Sequence, residues 1–552
     1  MSKLTINSVL IVGLGMIGGS IACGLRRTNP SLRITAVDRD TEQLALAHKD
    51  GVIDAYAVDL AELVSEAELI IVAVPTLAIG KVLEQIGTLV NPSAVITDVA
   101  SVKSEVMSAA RMALGKAVSR FVPGHPIAGS EKSGYPAASA ELFSNRKVIL
   151  TPEPETDCDA VNRVNWLWRQ LGADVLGMNI ARHDEVLAAT SHLPHLLSYA
   201  LVDVLLKQQQ SEDIFRYAAG GFADFSRLAS SDPTMWADIF VTNSTATLAV
   251  LDQFIEYLQQ MRQLLVQQDH ASLKYRFTRA KQARDRFIGK FYQAMKSEQQ
   301  ENPAQLNYVV LPGGQVRGDV RVPGDKSISH RAVIFGSIAT GVTQVSGFLE
   351  GEDALNTLET FRELGVTIVG PDQGRLTIFG VGRDGLQPPR KPLYMGNSGT
   401  AMRLLCGLLA AQDFSSELTG DESLSGRPMR RITDPLAKMG AYIETSDNGT
   451  PPLKIFGKQL QGIEYKMPMA SAQVQSCLLL AGLYANGTQS VTEPAPCRDH
   501  TERMLSGFGY PVRRDGNTVS LKGGHDLVAT SIDVPADISS AAFFLVAAAI
   551  TP

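Results

Sequence analysis

From residue 9 to residue 150 the chain alternates short, almost wholly apolar runs with stretches of helical pattern, and this alternation constrains the fold more than any other feature. Val9-Leu10-Ile11-Val12, Ile34-Thr35-Ala36-Val37, Leu69-Ile70-Ile71-Val72-Ala73-Val74, Val95-Ile96-Thr97 and Val148-Ile149-Leu150 read as strands. A strand that is apolar on both faces must be covered on both faces. Such runs separated by helices predict a parallel sheet sandwiched between helix layers, an α/β domain over residues 1–175. From about residue 180 the β signal vanishes. Ala237–Gln268 keeps helical periodicity without a proline, so residues 176–296 predict an all-helical domain. The polar run Lys296–Pro303 ends in a helix breaker and predicts a linker over 297–310.

The remaining part, 311–552, repeats itself. Three helical stretches end in glycine and run into a strand: Ala354–Gly365 then Val366–Val369, Arg430–Gly440 then Ala441–Ile443, and Thr501–Gly509 then Tyr510–Val512. Each follows a more apolar helix: Ser329–Ala339, Thr400–Ala411 and Ala472–Ala485. Three βαβαβ-like units are implied, packed as one domain over 326–535. A fourth apolar helix opens at Ile538-Ser539-Ser540-Ala541 without a second half, so 311–325 and 536–552 read as fragments of a second, incomplete domain.

Composition narrows the function classes. A length of 552 residues implies three or more domains. Charged residues at 20% and hydrophobic ones at 45% are ordinary for globular protein, and a net charge of −6 gives no nucleic-acid footprint. The five cysteines (Cys23, Cys158, Cys406, Cys477, Cys497) are scattered, never paired as Cys-x-x-Cys, and predict neither a disulfide framework nor a metal site. The apolar run at Val9–Ile11 leads straight into a glycine motif rather than a signal peptide, and Ala541–Ile550 is about half the length of a membrane span. The expectation is a cytoplasmic enzyme with small-molecule substrates and no membrane or nucleic-acid partner.

Gly13-Leu14-Gly15-Met16-Ile17-Gly18 follows the first strand and opens a helix, and Asp38 ends the next strand. Glycines here let a pyrophosphate approach the backbone at a helix N-terminus, while the acid binds a ribose diol. This Rossmann pattern predicts a dinucleotide held by Gly13, Gly15, Met16, Ile17, Gly18 and Asp38. Asp38 would repel a 2′-phosphate, which favours NAD over NADP, although Arg39 lies beside it.

Four segments then carry a family resemblance: Val122-Pro123-Gly124-His125-Pro126-Ile127-Ala128-Gly129-Ser130-Glu131-Lys132-Ser133-Gly134, Ser191-His192-Leu193-Pro194-His195, Gly220-Gly221-Phe222-Ala223-Asp224-Phe225-Ser226-Arg227 and Ser231-Asp232-Pro233-Thr234-Met235-Trp236. Over residues 5–290 the chain resembles the prephenate (cyclohexadienyl) dehydrogenases. That resemblance implies oxidative decarboxylation with His125 accepting the hydroxyl proton, assisted by Ser101. It implies Arg227 as a carboxylate clamp, and His195, Ser130 and Glu131 shaping the pocket with His192 and Trp236 nearby. Asp224 is an orienting partner on this reading. Prephenate and arogenate both fit. The competing reading, a hydroxy-acid dehydrogenase with a lysine base, does not account for the His125 segment. The apolar faces of a helical domain also predict a homodimer.

In the repeat, Lys326-Ser327, Gly399-Thr400 and Ser471-Ala472-Gln473 all stand at the start of the apolar helix of a unit. Three helix N-termini directed at one region would offer N–H groups and partial positive charge to an anion, and Lys326, Arg331, Arg403, Arg427 and Arg498 would add formal charge. These positions, with Pro323–Arg331, Gly351-Glu352-Asp353, Gly396–Arg403, Arg427-Pro428-Met429, Ala470–Val474 and Arg498–Glu502, resemble 5-enolpyruvylshikimate-3-phosphate synthase across 311–552. The resemblance implies an inside-out α/β domain. It implies shikimate-3-phosphate against Ser327, Arg331, Ser471, Ala472, Gln473 and Arg498, and phosphoenolpyruvate or glyphosate against Lys326, Gly399 and Arg427, with Lys326 also catalytic. It further implies that the acid–base groups of a second domain are missing, so that the transferase is truncated and inactive. The alternative is a dehydrogenase whose C-terminal part is a ligand-binding or regulatory module.

Overall fold

The computed structural model describes residues 6–129, 132–208, 218–293 and 317–551. The predicted linker 297–310 and the predicted pocket residues Ser130 and Glu131 lie outside them. The described chain forms two compact units. The first comprises residues up to Asp184, the stretch Ser230–Thr242 and the span Val320–Leu545. The second comprises Glu185–Ala229 and Asn243–Asp319, with the last residues from Val546.

The apolar runs form six parallel strands in the first unit: β1 Ser8–Val12, β2 Arg33–Val37, β3 Ala55–Ala57, β4 Leu69–Val72, β5 Val95–Asp98 and β6 Phe121–Val122. They are ordered β3-β2-β1-β4-β5-β6. The order reverses between β1 and β4, which is where a doubly wound sheet opens a crevice at its strand carboxyl ends. Helices α1 Met16–Thr28, α2 Thr41–Lys49, α3 Ile79–Leu89 and α4 Ser104–Leu114 supply the crossovers. Leu10, Ile11, Ile70, Ile71 and Ile96 have no exposed surface, as expected of strands covered on both sides.

The run Val148–Leu150 does not join that sheet. It lies in β8 Lys147–Leu150, antiparallel to β7 Gly124–Pro126 and parallel to β9 Asp174–Gly177. Helix α5 Cys158–Gln170 links β8 to β9 and buries Trp168 edge-on against Phe143, their ring centroids 5.2 Å apart. The sheet continues past β9 into the repeat region. Strands β10 Ala339–Ser346, β11 Thr367–Asp372 and β12 Arg375–Val381 extend it, with β9 beside β11 through Gly177 and Val369.

Three sheets of the repeat region share one topology. In the second, Leu393–Tyr394 is parallel to Ser415–Thr419, which is antiparallel to Leu453–Phe456, itself antiparallel to Tyr442–Glu444. The third has the same pattern in Glu464–Lys466, Thr488–Thr492, Thr518–Lys522 and Val512–Asp515. In the first, β10, β12 and β11 take the last three places, and the parallel strand is supplied by Leu527–Val528 and Ser531–Asp533 from the far end of the region. Each unit therefore closes with a hairpin, one strand more than the βαβαβ expectation. The turns Asp372-Gln373-Gly374, Asp447-Asn448-Gly449 and Asp515-Gly516-Asn517 are the local signal for it. The glycines that end the outer helices, Gly365, Gly440 and Gly509, all have positive φ (+92°, +96° and +75°), the left-handed cap that favours glycine.

The predicted long helix over Ala237–Gln268 is two helices, Pro233–Thr242 and Ser244–Val266. Asn243 breaks it with φ −114° and ψ 34°, and the boundary between the two units falls there. The Pro233–Thr242 helix, with the buried Trp236, thus belongs to the first unit rather than with the other helices. The second unit holds the remaining helices, chiefly Leu193–Leu206, Ser244–Val266 and His270–Gln293.

Candidate functional site

The glycine turn after β1 has the geometry its sequence requires. Gly13 has φ +99°, and a Cβ there would stand 2.6 Å from Ala73 O. A Cβ on Gly18 would run into Gly13 O, so helix and turn touch only because both residues are glycine. At Gly15, which caps α1 without a side chain, a Cβ would meet nothing within 4 Å. Asp38 closes the loop by accepting from Leu14 N at 2.6 Å and Asp40 N at 2.9 Å. An open cradle at an uncapped helix N-terminus beside a carboxylate fits the diphosphate and ribose of a dinucleotide.

Past the ends of β5 and β6 lies a buried polar cluster. His125 is the middle residue of β7, and 7% of it is exposed. Its Nδ1 is 2.8 Å from Nε2 of His183, and Nδ1 of His183 is 2.8 Å from Oδ1 of Asp184. Asp184 accepts the backbone N–H of Lys103 at 2.9 Å and of Ser104 at 2.8 Å, the first amides of α4. Burial alone would raise the Asp184 carboxyl, but these hydrogen bonds together with that of His183 bring it down to about 2. Lys103 and Asp98 form an ion pair with neither side chain exposed, Nζ to Oδ2 at 2.5 Å. The same ammonium donates to Gly124 O at 2.6 Å and so pins the residue preceding His125. Ser101, predicted as the helper of His125, is half-buried in the loop between β5 and α4.

In the second unit, His192 is buried in a π-helical turn, Ala188–His192, and its Nδ1 is 3.1 Å from Asn243 Nδ2. Single-turn π insertions recur at functional sites. His195 is half-buried with Nδ1 2.8 Å from Ser191 O. Burial lowers its pKa, partly offset by that carbonyl, and the charge of Arg227 lowers it further. Arg227 and Asp224 are exposed.

Each predicted anion-binding helix of the repeat is capped at its start. Asp325, Ser398 and Ser471 accept from Ile328 N, Ala401 N and Val474 N respectively. Lys326, Ser327 and Arg498 line one cleft of ≈ 430 Å³ together with Asp325, Ser539 and Ser540. Lys326 Nζ is paired with Asp353 at 2.8 Å. Gln473 links Arg403 (2.7 Å) to Thr400 (2.9 Å), and Arg427 is held by Asn397. A Cβ on Gly399 would stand 3.0 Å from Arg403 Nη1 and 3.2 Å from Arg427 Nη1, so that glycine leaves both guanidinium groups unobstructed. Arg331 differs from its neighbours. It is 3% exposed, and its donors go to Thr501 Oγ1 (2.8 Å), Ser476 Oγ (2.6 Å) and Ser327 O (2.9 Å), which ties three helices together. Sequence reasoning did not single out His330, buried between Thr357 Oγ1 (2.8 Å) and Ser398 Oγ (3.3 Å). It also missed Asp98, Lys103, His183 and Asp184. Their signals were a charged residue closing the apolar β5 run and a His-Asp pair in a chain with nine histidines.

A doubly wound domain with a dinucleotide cradle and a histidine-centred cluster defines the dehydrogenase class, joined in one chain to a threefold α/β repeat with clustered cationic residues. Family models match in that order: the prephenate dehydrogenase nucleotide-binding domain over 21–177, the prephenate dehydrogenase dimerization domain over 179–279, and EPSP synthase (3-phosphoshikimate 1-carboxyvinyltransferase) over 310–552. Prephenate dehydrogenase from A. aeolicus, solved with hydroxyphenyl propionate and NAD+, is 34% identical; the match covers 52% of this chain and all of that one, with TM-score 0.49. Arogenate dehydrogenase from Synechocystis is 29% identical over 51% of this chain and 99% of that one, with TM-score 0.45. The 3-phosphoshikimate 1-carboxyvinyltransferase of Nitrosococcus oceani is 65% identical over 246 residues, 44% of this chain and 55% of the relative. EPSP synthase from Acinetobacter baumannii is 63% identical over 42% of this chain and 54% of that one, with TM-score 0.41. The chain belongs to the prephenate dehydrogenase family and carries, from residue 310, an EPSP synthase segment. Both are enzyme families of aromatic amino acid biosynthesis. The chain spans about half the length of the curated transferases it matches.

Proposed function

We propose that the chain catalyses the NAD-dependent oxidative decarboxylation of prephenate, or of arogenate, and that its repeat region binds shikimate-3-phosphate and phosphoenolpyruvate. NAD, when bound, would supply the hydride acceptor for the ring carbon that carries the hydroxyl. Gly13, Gly15, Met16, Ile17 and Gly18 would cradle its diphosphate and Asp38 its ribose diol. His125 takes the hydroxyl proton. The ring carboxylate leaves as carbon dioxide, and the electron pair of the broken bond completes the aromatic ring. By the family resemblance, Arg227 offers a two-pronged donor for a substrate carboxylate, and Ser101, Ser130, Glu131, His192 and His195 are further proposed substrate-site residues. The single observation that carries the reading is His125, a buried imidazole hydrogen-bonded from behind, within a His-Pro-Ile-Ala-Gly segment.

Turnover of prephenate and of arogenate with NAD, each with wild type and His125→Asn, tests the proposal and separates the substrates. Undiminished turnover in the variant removes His125 from the mechanism. Shikimate-3-phosphate is proposed against Ser327, Arg331, Ser471, Ala472, Gln473 and Arg498, and phosphoenolpyruvate against Lys326, Gly399 and Arg427. Glyphosate should bind there, and less tightly to Gly399→Ala. Enolpyruvyl transfer by these 552 residues is not expected. The helix Ile538–Ile550 beside the cleft exposes Ile538, Phe543, Leu545 and Val546, an apolar face that calls for a cover in the working enzyme. Formation of enolpyruvylshikimate-3-phosphate by the purified chain would overturn that expectation.

A homodimer is proposed through the helical unit, where Leu248, Ile255, Leu258, Tyr275, Phe277 and Phe287 are exposed. Among the described residues no helix is long and apolar enough to cross a membrane. A cytoplasmic location is proposed from the scattered, unpaired cysteines.

A further inference from the structure

If His125 is the proton acceptor, one of its two ring nitrogens must hold a lone pair toward the substrate, and the buried chain behind it selects which. Taking that reading of His125 as given, we infer that His183 is a positioning residue: held by Asp184, it fixes His125 as the Nδ1–H tautomer and so reserves Nε2 for the substrate hydroxyl.

The direction of the chain follows from its far end. An ionised carboxylate only accepts hydrogen bonds. Asp184 cannot turn away, because Oδ1 accepts from Lys103 N and Oδ2 from Ser104 N, and the start of α4 favours a negative charge there. The ring nitrogen 2.8 Å from Oδ1, Nδ1 of His183, must therefore carry a hydrogen. A neutral imidazole has one N–H, so Nε2 of His183 is an acceptor. The atom facing it at 2.8 Å, Nδ1 of His125, must donate, and the lone pair of His125 falls on Nε2.

The opposite direction would require His183 to be doubly protonated. Its side chain is fully buried, and burial works against the cation, as does the ammonium of Lys103, while Asp184 and Asp98 work in its favour. The balance lowers its proton affinity, so the neutral ring is the resident form. When the hydroxyl proton arrives at Nε2, His125 becomes a cation that still donates from Nδ1 to His183. One proton moves and none need travel along the chain. Asp184 stabilises the new charge through the polarised ring between them, the logic by which a carboxylate orients a catalytic histidine elsewhere. A purely packing role for His183 would be met by either tautomer.

Nitrogen-15 NMR of the full chain with labelled histidine reads the tautomer without turnover, and His125→Asn assigns the signal. The expected wild-type spectrum shows His125 protonated at Nδ1 and bare at Nε2 near neutral pH. In His183→Phe the Nδ1–H preference is lost, and kcat for the dehydrogenase falls about 10- to 100-fold with KM nearly unchanged. An Nε2–H signal for His125 in wild type overturns the inference, as does an unchanged tautomer in a folded His183→Phe. Should that variant not fold, the wild-type spectrum decides alone. Full activity in His125→Asn would instead overturn the proton-acceptor reading and leave the tautomer measurement standing.

Discussion

Lys103→Met isolates the cost of breaking one buried ion pair. The Lys103 ammonium and the Asp98 carboxylate have no exposed surface and meet at 2.5 Å. Burial pushes the ammonium toward its neutral form, and the charges of Asp98 and Asp184 oppose that. Methionine fills nearly the same volume, so the change is electrostatic rather than steric. Asp98 keeps the N–H groups of Ala100 (2.9 Å) and Gly124 (3.2 Å) but loses its counter-ion, and Gly124 O loses its donor. Removing one partner of a buried pair costs about 3–5 kcal/mol, and the stranded carbonyl adds on the order of 1 kcal/mol. At roughly 2–4 °C per kcal/mol for a domain of this size, the first thermal transition should fall by about 10 °C or more. Calorimetry of wild type, Lys103→Met and the double variant Asp98→Asn/Lys103→Met checks the cause. Neutralising Asp98 removes the uncompensated charge and should return about 2 kcal/mol. A single variant within about 1 kcal/mol of wild type, or a double variant no more stable than the single, would refute the reasoning.

Three further outcomes follow from the same structure. Asp184 has a folded pKa of about 2, below its unfolded value near 3.8, so its stabilisation is complete above about pH 4 and is lost as pH falls toward 2. In Asp184→Asn the loss of stability across that window should shrink by on the order of 2 kcal/mol in urea titrations run at each pH, and an unchanged slope would exclude the effect. A Cβ on Gly407 would run into Cys477 O, where the helices Gly399–Ala410 and Ala472–Gly482 touch. Gly407→Ala should therefore destabilise by about 1–3 kcal/mol in chemical denaturation, despite alanine's better helix propensity, and a more stable variant would contradict the packing. Asn165 Nδ2 donates to Thr367 Oγ1 at 2.8 Å, both residues buried, between α5 and β11. Asn165→Ala should cost about 1–2 kcal/mol and speed amide exchange along β11, and unaltered exchange there would count against this contact.

What could be read in the sequence was whatever depends on local pattern. The β1, β2, β4 and β5 runs are apolar on both faces, so a covered parallel sheet followed from them directly. Gly13 and Gly18 were legible because only glycine tolerates their backbone and contacts, and Gly365, Gly440 and Gly509 because a helix cap repeats with the unit. The hairpins that close each unit were signalled by Asp-x-Gly and Asp-Gly turns but were too short to stand out against the helices. Strands β7, β8 and β9 could not be separated from the first sheet, because pairing partners distant in sequence leave no local mark. The cluster behind His125 was hidden for the same reason: Asp98, Lys103, His183 and Asp184 come from two segments about 80 residues apart and become one network only when the helix Ile180–Leu187 meets the start of α4 and His125 of β7. Arg331 shows what a motif leaves out: the sequence marked it for a ligand contact but gave no sign that its donors also reach Thr501, Ser476 and Ser327.

The strand β9 gives the junction of the two halves a physical rationale. The sheet β7-β8-β9 would otherwise end in an open edge, a row of unpaired N–H and C=O groups that proteins usually shield. Here β11 lies along that edge, and it does so at a glycine: a Cβ on Gly177 would stand 2.5 Å from Ile368 O and 2.8 Å from the carbonyl carbon. Helix α5 reinforces the contact from one face. Asn162 donates to Gly380 O at 3.1 Å, Arg169 to Gln387 at 2.7 Å, and Arg390 returns a bond to Ala173 O at 2.8 Å. Phe379 of β12 packs in the same core as Phe143 and Trp168. The pieces that meet are the strand bearing the proposed proton acceptor's sheet and the first sheet of the repeat. The two therefore share one close-packed core.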